Sequence, residues 1–269
     1  MNLRRAVQVS SDVFFYLLGR DLFYANGQPL QRWARRLGFN RESGLDLPEE
    51  NRGQIPDRKF REKLNDTERK CRKTNKGKPC YAVDIRPYNV GDNVNLSVGQ
   101  GDIAATPLQA AVAYSALVNG GRVPRPHIGM EIQDSQNRLV QRIDPGAARK
   151  VKIDPAWRQA LMDGLALAAR QEPGTSAGVF AGWPSDRYPI FGKTGTAETF
   201  VKGQPVDQSW YVGYVNHPTK PIVIAATIER GGFGAEKAAP LVRRMLARWF
   251  DIPEEARASE AAGVRQAAD

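Results

Sequence analysis

The sequence predicts an α+β fold in which helices come first and an antiparallel sheet follows. Three observations carry this expectation. Residues 106–121, "TPLQAAVAYSALVNGG", have the start and stop signals of a helix. Residues 209–215 and 221–229, "SWYVGYV" and "PIVIAATIE", are rich in Val, Ile, Tyr and Trp and are joined by the short turn "HPTK". Short turns suit antiparallel neighbours, because a parallel pair needs a long crossover. The chain then closes on an amphipathic segment, "APLVRRMLARWF".

Taken in order, residues 10–25 are mostly apolar and aromatic behind Ser10, Ser11 and Asp12, which are start signals for a helix. The pattern predicts a buried helix ending near Gly27. A short helix, "PLQRWARRLGF", follows and stops at Gly38. Residues 40–95 have no sustained apolar period and are rich in Gly, Pro, Asn and charge, so they read as long loops, with a basic loop at about 52–95. In the 106–121 helix, Thr106 is the cap, Pro107 fits the first turn, Gln109 completes a capping box and Asn119-Gly120-Gly121 stops it. "RPHIGMEIQDSQNRLVQRI" predicts a hairpin with its turn near Asp134–Asn137. Asp154-Pro155 opens a further helix that runs to about Gln171. "YPIFGKTGTAE" begins the strands, with Thr199, Phe200 and Val201 continuing in extended form. In the last helix, Leu241, Met245, Leu246, Trp249 and Phe250 share one face and Arg243, Arg244 and Arg248 the other. Residues 1–252 read as one structural unit, and the Ala/Glu/Arg-rich stretch 253–269 as a disordered tail.

A chain of 269 residues that is 41% apolar has enough material for one good core or two small ones. The net charge is +10. Part of the excess is local, with ten Lys/Arg against three Asp/Glu between Arg58 and Lys78. A basic balance favours acidic partners. Aromatic residues are not interleaved through the basic stretch, which argues against nucleic acid as the partner. No apolar run approaches the ~18–20 residues of a membrane span. The first 21 residues do not read as a signal peptide, because Asp12 interrupts the apolar part and no small-residue cleavage site follows. As written, the chain shows neither leader nor anchor. Cys71 and Cys80 are too few for a zinc site, with His127 and His217 isolated, so no metal or other cofactor is expected. A disulfide closing a small loop and two separate thiols both remain open at this stage.

The stretch "PIFGKTGTAETF", residues 189–200, admits two chemistries. Gly192-Lys193-Thr194 matches the end of a phosphate-binding P-loop, but that motif needs a glycine five positions before Gly192, where Arg187 stands. No helical pattern follows to supply the amide-rich N-terminus that cradles phosphate. The other chemistry is a carboxylate grip. A lysine on a strand followed by Thr194, Gly195 and Thr196 presents an ammonium and two hydroxyls, and glycine lets a ligand come close to the backbone. The strand edge then offers its backbone groups to an extended peptide.

Three motifs stand in order: Ser10-Ser11-Asp12 before an apolar helix, "SVGQGDIAATPLQ" joining a glycine loop to a capped helix, and "KTGTAE" followed by "SWYVGYV". Over roughly residues 8–250 this set resembles the transpeptidase domain of class B penicillin-binding proteins. The Ser-x-Asp form resembles the rod-elongation class. The resemblance implies a serine β-lactamase-like fold, an antiparallel sheet flanked by helices, N-terminally truncated. It also implies a substrate, the peptidoglycan stem peptide ending in D-Ala-D-Ala, for which β-lactam antibiotics compete. In such enzymes a serine attacks the penultimate carbonyl, D-Ala leaves, and the amine of a second stem resolves the acyl-enzyme into a crosslink. On this resemblance Ser10 relays protons and Asp12 holds the substrate side of the hydrogen-bond network. Lys193 supplies positive potential toward Ser10 and the terminal carboxylate, which Thr194 and Thr196 contact. The Thr196 N–H forms half of the oxyanion hole. A glycan polymerase of the SEDS type is the implied partner, at the extracytoplasmic face of the membrane. Gln100, Gly99 and Gly101 read as loop-shaping residues, and Trp210 and Tyr211 as strand core.

One part of the pattern is absent. Such enzymes place the nucleophile in Ser-x-x-Lys, where the lysine activates a hydroxyl that is otherwise a poor nucleophile. None of the ten serines here has lysine three positions later. The expectation is therefore a C-terminal part of a D,D-transpeptidase, inactive by itself, with a non-catalytic stem-peptide module and a β-lactamase or β-lactam sensor as the alternatives.

Overall fold

The computed structural model describes residues 1–82, 84–201 and 203–253, so most of the expected tail lies outside the described residues. Helices α1 (Leu3–Gln8), α2 (Asp12–Tyr24), α3 (Pro29–Leu37), α4 (Arg58–Thr74), α5 (Val90–Ser97) and α6 (Pro107–Val118) come first. Four short strands follow: β1 (Arg122–Pro124), β2 (Glu131–Gln133), β3 (Leu139–Arg142) and β4 (Ala147–Lys150). After α7 (Pro155–Arg170) come β5 (Ile190–Val201), β6 (Gln204–Val215) and β7 (Ile222–Ile228), and α8 (Ala238–Trp249) closes the unit.

The main sheet has the order β5-β6-β7, with both pairings antiparallel. Alternation along the strands gives it two apolar faces. Ile190, Tyr211 and Val215 pack with Val242, Leu246 and Phe250 of the α8 region and with Phe180, Trp183 and Tyr188. Phe191 and Tyr214, one residue out of phase, pack instead with Val7 of α1 and Met162 and Leu165 of α7. The sheet is thus flanked by helices on both sides, as expected. A smaller cluster, Val112, Ala116, Val123 and Val151, joins α6 to the β1–β4 pair. Strands β2 and β3 form the expected hairpin, and Asn137 at its turn has φ 58°. No helix among the described residues is long and apolar enough to cross a membrane.

Three local readings of the sequence need correction. First, the region expected to be loop contains two helices, α4 and α5. The inward face of α4 is polar: its buried residues are Arg61, Asn65 and Glu68, spaced four and three apart. An apolar period has nothing to register on such a face. Most of the polar groups on that face are met by the segment that follows, although Asn65 Oδ1 is buried without a hydrogen-bond partner among the described residues. Arg61 donates to the carbonyls of Asp84 and Arg86, and Asn65 Nδ2 donates to Arg86 at 2.7 Å. Glu68 is fully buried and accepts from Arg72 Nε and from the backbone N–H groups of Cys80, Tyr81 and Ala82. Cys71 and Cys80 form a disulfide beside it. The second helix was marked by a capping box, Asn89 with Asp92.

Second, α2 is a helix but not a buried one. Its only buried residue is Gly19, while Val13, Tyr16, Leu17, Leu18 and Tyr24 are exposed. Gly19 is packed against α5, where a Cβ would stand 2.6 Å from Ser97 Oγ. Third, Arg243 does not share an exposed face with Arg244 and Arg248. It is buried and donates to the Ala181 carbonyl at 3.1 Å.

Glu68 generates a testable pH dependence. The hydrogen bond from the Arg72 guanidinium, and after it those from the backbone N–H groups of Tyr81, Cys80 and Ala82, hold its carboxyl down at about 2. The unfolded chain binds that proton near the ordinary value of ~4.3. The carboxylate therefore stabilises the fold above that value, and the contribution is lost as pH falls from there toward about 2. Glu68→Gln is expected to lower Tm at pH 7, with the difference from wild type narrowing by pH 3, read by circular dichroism.

Candidate active site

Two distant parts of the chain meet at the start of β5. Lys193 Nζ donates to Ser10 Oγ at 2.8 Å, across 183 positions of sequence. It also donates to the Thr194 carbonyl at 2.7 Å. Each partner is placed by local structure. Ser10 sits in the turn between α1 and α2 with φ 53°, a left-handed conformation uncommon for a residue with a Cβ. The helix cap is Ser11, whose hydroxyl accepts from the Phe14 N–H, so the Ser10 hydroxyl is spared for Lys193. Asp12 is the first residue of α2, exposed, where a carboxylate suits the helix N-terminus. It makes no hydrogen bond to Lys193 among the contacts of the site and acts on it through charge.

Lys193 is presented by packing below it. Gly192 lies against the hydroxyl of the fully buried Tyr211, leaving no room for a Cβ. The same Tyr211 hydroxyl lies 3.3 Å from Ser176 Oγ, which holds it in place. Alternation along β5 then turns Lys193 away from this core. Its ammonium is partly buried, and that desolvation lowers its pKa from the usual lysine value to about 8, while the negative charge of Asp12 works in the opposite direction.

Further along the strand, Thr194 Oγ1 donates to Thr175 Oγ1 at 2.7 Å. Thr196 Oγ1 accepts from the Gly234 N–H at 3.4 Å. Gly234 approaches so closely that a Cβ there would lie 2.6 Å from the Gly195 carbonyl oxygen. The expected residues Ser10, Lys193, Thr194, Gly195 and Thr196 therefore lie together on one stretch, with Asp12 at its margin. Sequence reasoning missed Thr175, which lies in the loop after α7, and it gave Gln100 only a loop role. Gln100 in fact touches β5: its Nε2 donates to the Thr196 carbonyl at 3.1 Å and its Oε1 accepts from the Glu198 N–H at 3.2 Å. The "GQG" triplet was the available signal, because paired glycines often bring a side chain or backbone close to a neighbour. Among the described residues, no group of three or more His, Cys, Asp and Glu is arranged to hold a metal ion.

An ammonium of lowered pKa against a serine hydroxyl, on a strand that ends in Thr-Gly-Thr, is the arrangement that acyl-transfer sites use to hold a carboxylate and move a proton. Comparison with known proteins agrees with this class. The family model described as the penicillin binding protein transpeptidase domain matches residues 1–247, and the chain belongs to that family. Within it the chain is homologous to the rod-shape-determining MrdA/PBP2 proteins. The peptidoglycan D,D-transpeptidase MrdA of Haemophilus influenzae is 27% identical over 259 residues, covering 91% of this chain and 36% of that protein. The Escherichia coli K12 MrdA is 26% identical over 258 residues, again 91% of this chain and 36% of the relative. The crystal structure of Pseudomonas aeruginosa PBP2 in complex with WCK 5153 superposes with a TM-score of 0.70 at 27% identity, over 97% of this chain and 52% of the other. A component of a peptidoglycan synthase complex that coordinates polymerization and crosslinking gives a TM-score of 0.71 at 26% identity, over 94% and 38%. The chain thus spans about a third of the length of the curated relatives it matches.

The electrostatics of the site are open to direct measurement. In chain labelled with ¹³C at lysine Cε, one lysine resonance is expected to titrate near pH 8, below the others. Lys193→Arg removes it, and Asp12→Asn moves its midpoint lower because the charge that raises it is gone. A Lys193 titrating with the bulk lysines would contradict the burial of its ammonium.

Proposed function

We propose that residues 1–252 form part of a transpeptidase domain that binds the D-Ala-D-Ala end of peptidoglycan stem peptides, and β-lactams in the same place. The contact that supports this most directly is Lys193 Nζ on Ser10 Oγ beside Thr194 and Thr196. In this reading Lys193 attracts the terminal carboxylate and Thr194 and Thr196 give it hydroxyl partners. Ser10, with its hydroxyl already on the ammonium, passes a proton toward the leaving amine, and Asp12 keeps the ammonium charged. The Thr196 N–H stabilises the developing oxyanion, a role whose loss in other acyl-transfer enzymes costs ~3 kcal/mol.

The attacking hydroxyl is a separate matter. No serine of this chain lies in Ser-x-x-Lys, so the activity we assign to the chain itself is recognition without acylation. In a protein that also contains that motif, the same strand serves crosslinking of the cell wall at the extracytoplasmic face of the membrane. A glycan polymerase is the partner that the synthase-complex relative supports.

Incubation of the purified chain with a fluorescent penicillin tests both parts. No adduct stable to denaturing electrophoresis is expected, and a stoichiometric one would overturn the non-acylating assignment. Equilibrium binding, read by fluorescence anisotropy, is expected to weaken about 10- to 100-fold in Lys193→Ala, the worth of a charged hydrogen bond of ~1.5–3 kcal/mol. It is also expected to fall as pH rises through about 8, where the free Lys193 ammonium loses its proton. Complete absence of binding by the wild-type chain would overturn the carboxylate-holding reading.

A further inference from the structure

Among the described residues, strand β5 is the edge of its sheet and pairs only with β6. An edge strand of this length leaves a row of backbone donors and acceptors open. At one point that row is occupied by a side chain. The carboxamide of Gln100 gives its N–H to the Thr196 carbonyl and takes the Glu198 N–H on its oxygen. One amide thus supplies one donor and one acceptor to successive pairing groups of the strand, the contacts that an added peptide strand would make.

The presentation of Gln100 is built into the loop. Gly99 and Gly101 on either side have φ of 79° and 80°, a conformation that glycine adopts without strain. The Gln100 N–H is tied to the Asn95 carbonyl at 2.9 Å. Beyond Gly101, Gln54 Nε2 donates to the Asp102 carbonyl at 2.7 Å, and Gln54 and Ala104 form an isolated antiparallel bridge. The loop backbone is therefore anchored on both sides of its tip, while the contact with β5 is made by the half-buried Gln100 side chain alone. Gln100 lies at Thr196, the residue whose neighbours Lys193 and Thr194 face the ligand carboxylate in the reading above.

We propose that Gln100 is a placeholder on the β5 edge. It fills the pairing groups of Thr196 and Glu198 in the free protein and is displaced by the amide-bearing arm of an extended ligand. It acts as a positioning and selectivity residue, not a catalytic one. The proposal rests on the assignment of β5 as the ligand-holding strand. Its chemical consequence is selectivity by ligand length. A ligand whose acylamino arm runs along the edge must break two hydrogen bonds to the Gln100 amide and replaces them with its own. A ligand that ends at the carboxylate grip leaves Gln100 in place.

Two readouts test it, one without ligand. In hydrogen exchange on the free chain, the Glu198 amide is expected to exchange about two- to tenfold faster in Gln100→Ala than in wild type, the loss of a hydrogen bond worth ~0.5–1.5 kcal/mol. Gln100→Glu keeps an acceptor for that N–H and is expected to retain its protection, while leaving the Thr196 carbonyl without its donor. Equal exchange in wild type and Gln100→Ala would overturn the proposal. In the second readout, benzylpenicillin, which carries an acylamino arm, is compared with 6-aminopenicillanic acid, which has none, by isothermal titration calorimetry. The benzylpenicillin-to-nucleus affinity ratio is expected to rise about three- to tenfold in Gln100→Ala, because the arm no longer competes. An unchanged ratio, or equal weakening of both ligands, would overturn displacement and make Gln100 a strut for the strand. Failure of both ligands to bind wild type and variant alike would overturn the ligand-holding assignment and displacement with it. The exchange contrast would remain to show whether the edge is occupied. Circular dichroism melting of each variant separates these results from loss of the fold.

Discussion

The hydrogen bond between Lys193 and Ser10 is the constraint around which the site is organised. It joins the turn between the first two helices to the start of the longest strands, and it is made by an ammonium withdrawn partly from water. Such a group is costly unless its donors are used. Here they go to a hydroxyl and a carbonyl, and the nearby Asp12 carboxylate supplies the compensating field. The left-handed backbone at Ser10 fits this picture. The turn accepts an unfavourable conformation so that one hydroxyl caps the helix and its neighbour faces the lysine. Beneath, the contact depends on Gly192 and Tyr211. A sheet residue without a side chain lets a phenol hydroxyl occupy the space, and that packing sets the height at which the next residue emerges.

Much of this was legible in the sequence because it depends on local chemistry. The capping box at Thr106 and Gln109, the turn at Asp134–Asn137 and the Val, Ile, Tyr and Trp of the later strands with their short turn are short-range signals, and each appears where its residues place it. The Lys193–Thr196 stretch was legible for a different reason. Lys-Thr-Gly on a strand had a competing reading, and one wrong residue, Arg187, removed it. The order of the other motifs then pointed to a family to which the chain belongs.

The remainder was hidden for physical reasons that differ from residue to residue. Helix α4 buries Arg61, Asn65 and Glu68, so its periodicity is written in polar residues that a hydropathy pattern counts as solvent-facing. Helix α2 was read as buried because it is apolar, but apolar composition states what a surface prefers, not what is there to cover it. Gln100 and Thr175 act on β5 from 96 and 19 positions away. No spacing rule reports a side chain that meets a strand through tertiary folding, and the two glycines around Gln100 signal a close approach without saying what is approached.

The polar construction of the α4 lobe has a consequence for how different parts of the molecule respond to their surroundings. The sheet and its flanking helices are held by apolar burial, which carries a large heat-capacity change and therefore a strongly curved dependence on temperature. The segment from α4 to Arg86 is held by a buried carboxylate, guanidinium groups, backbone amides and one covalent link. Exposure of polar surface lowers the heat capacity where exposure of apolar surface raises it. The two parts of the fold are thus thermodynamically unlike materials. Temperature is the variable to which the sheet answers, whereas the lobe answers chiefly to the proton activity and redox state of the medium that bathes it.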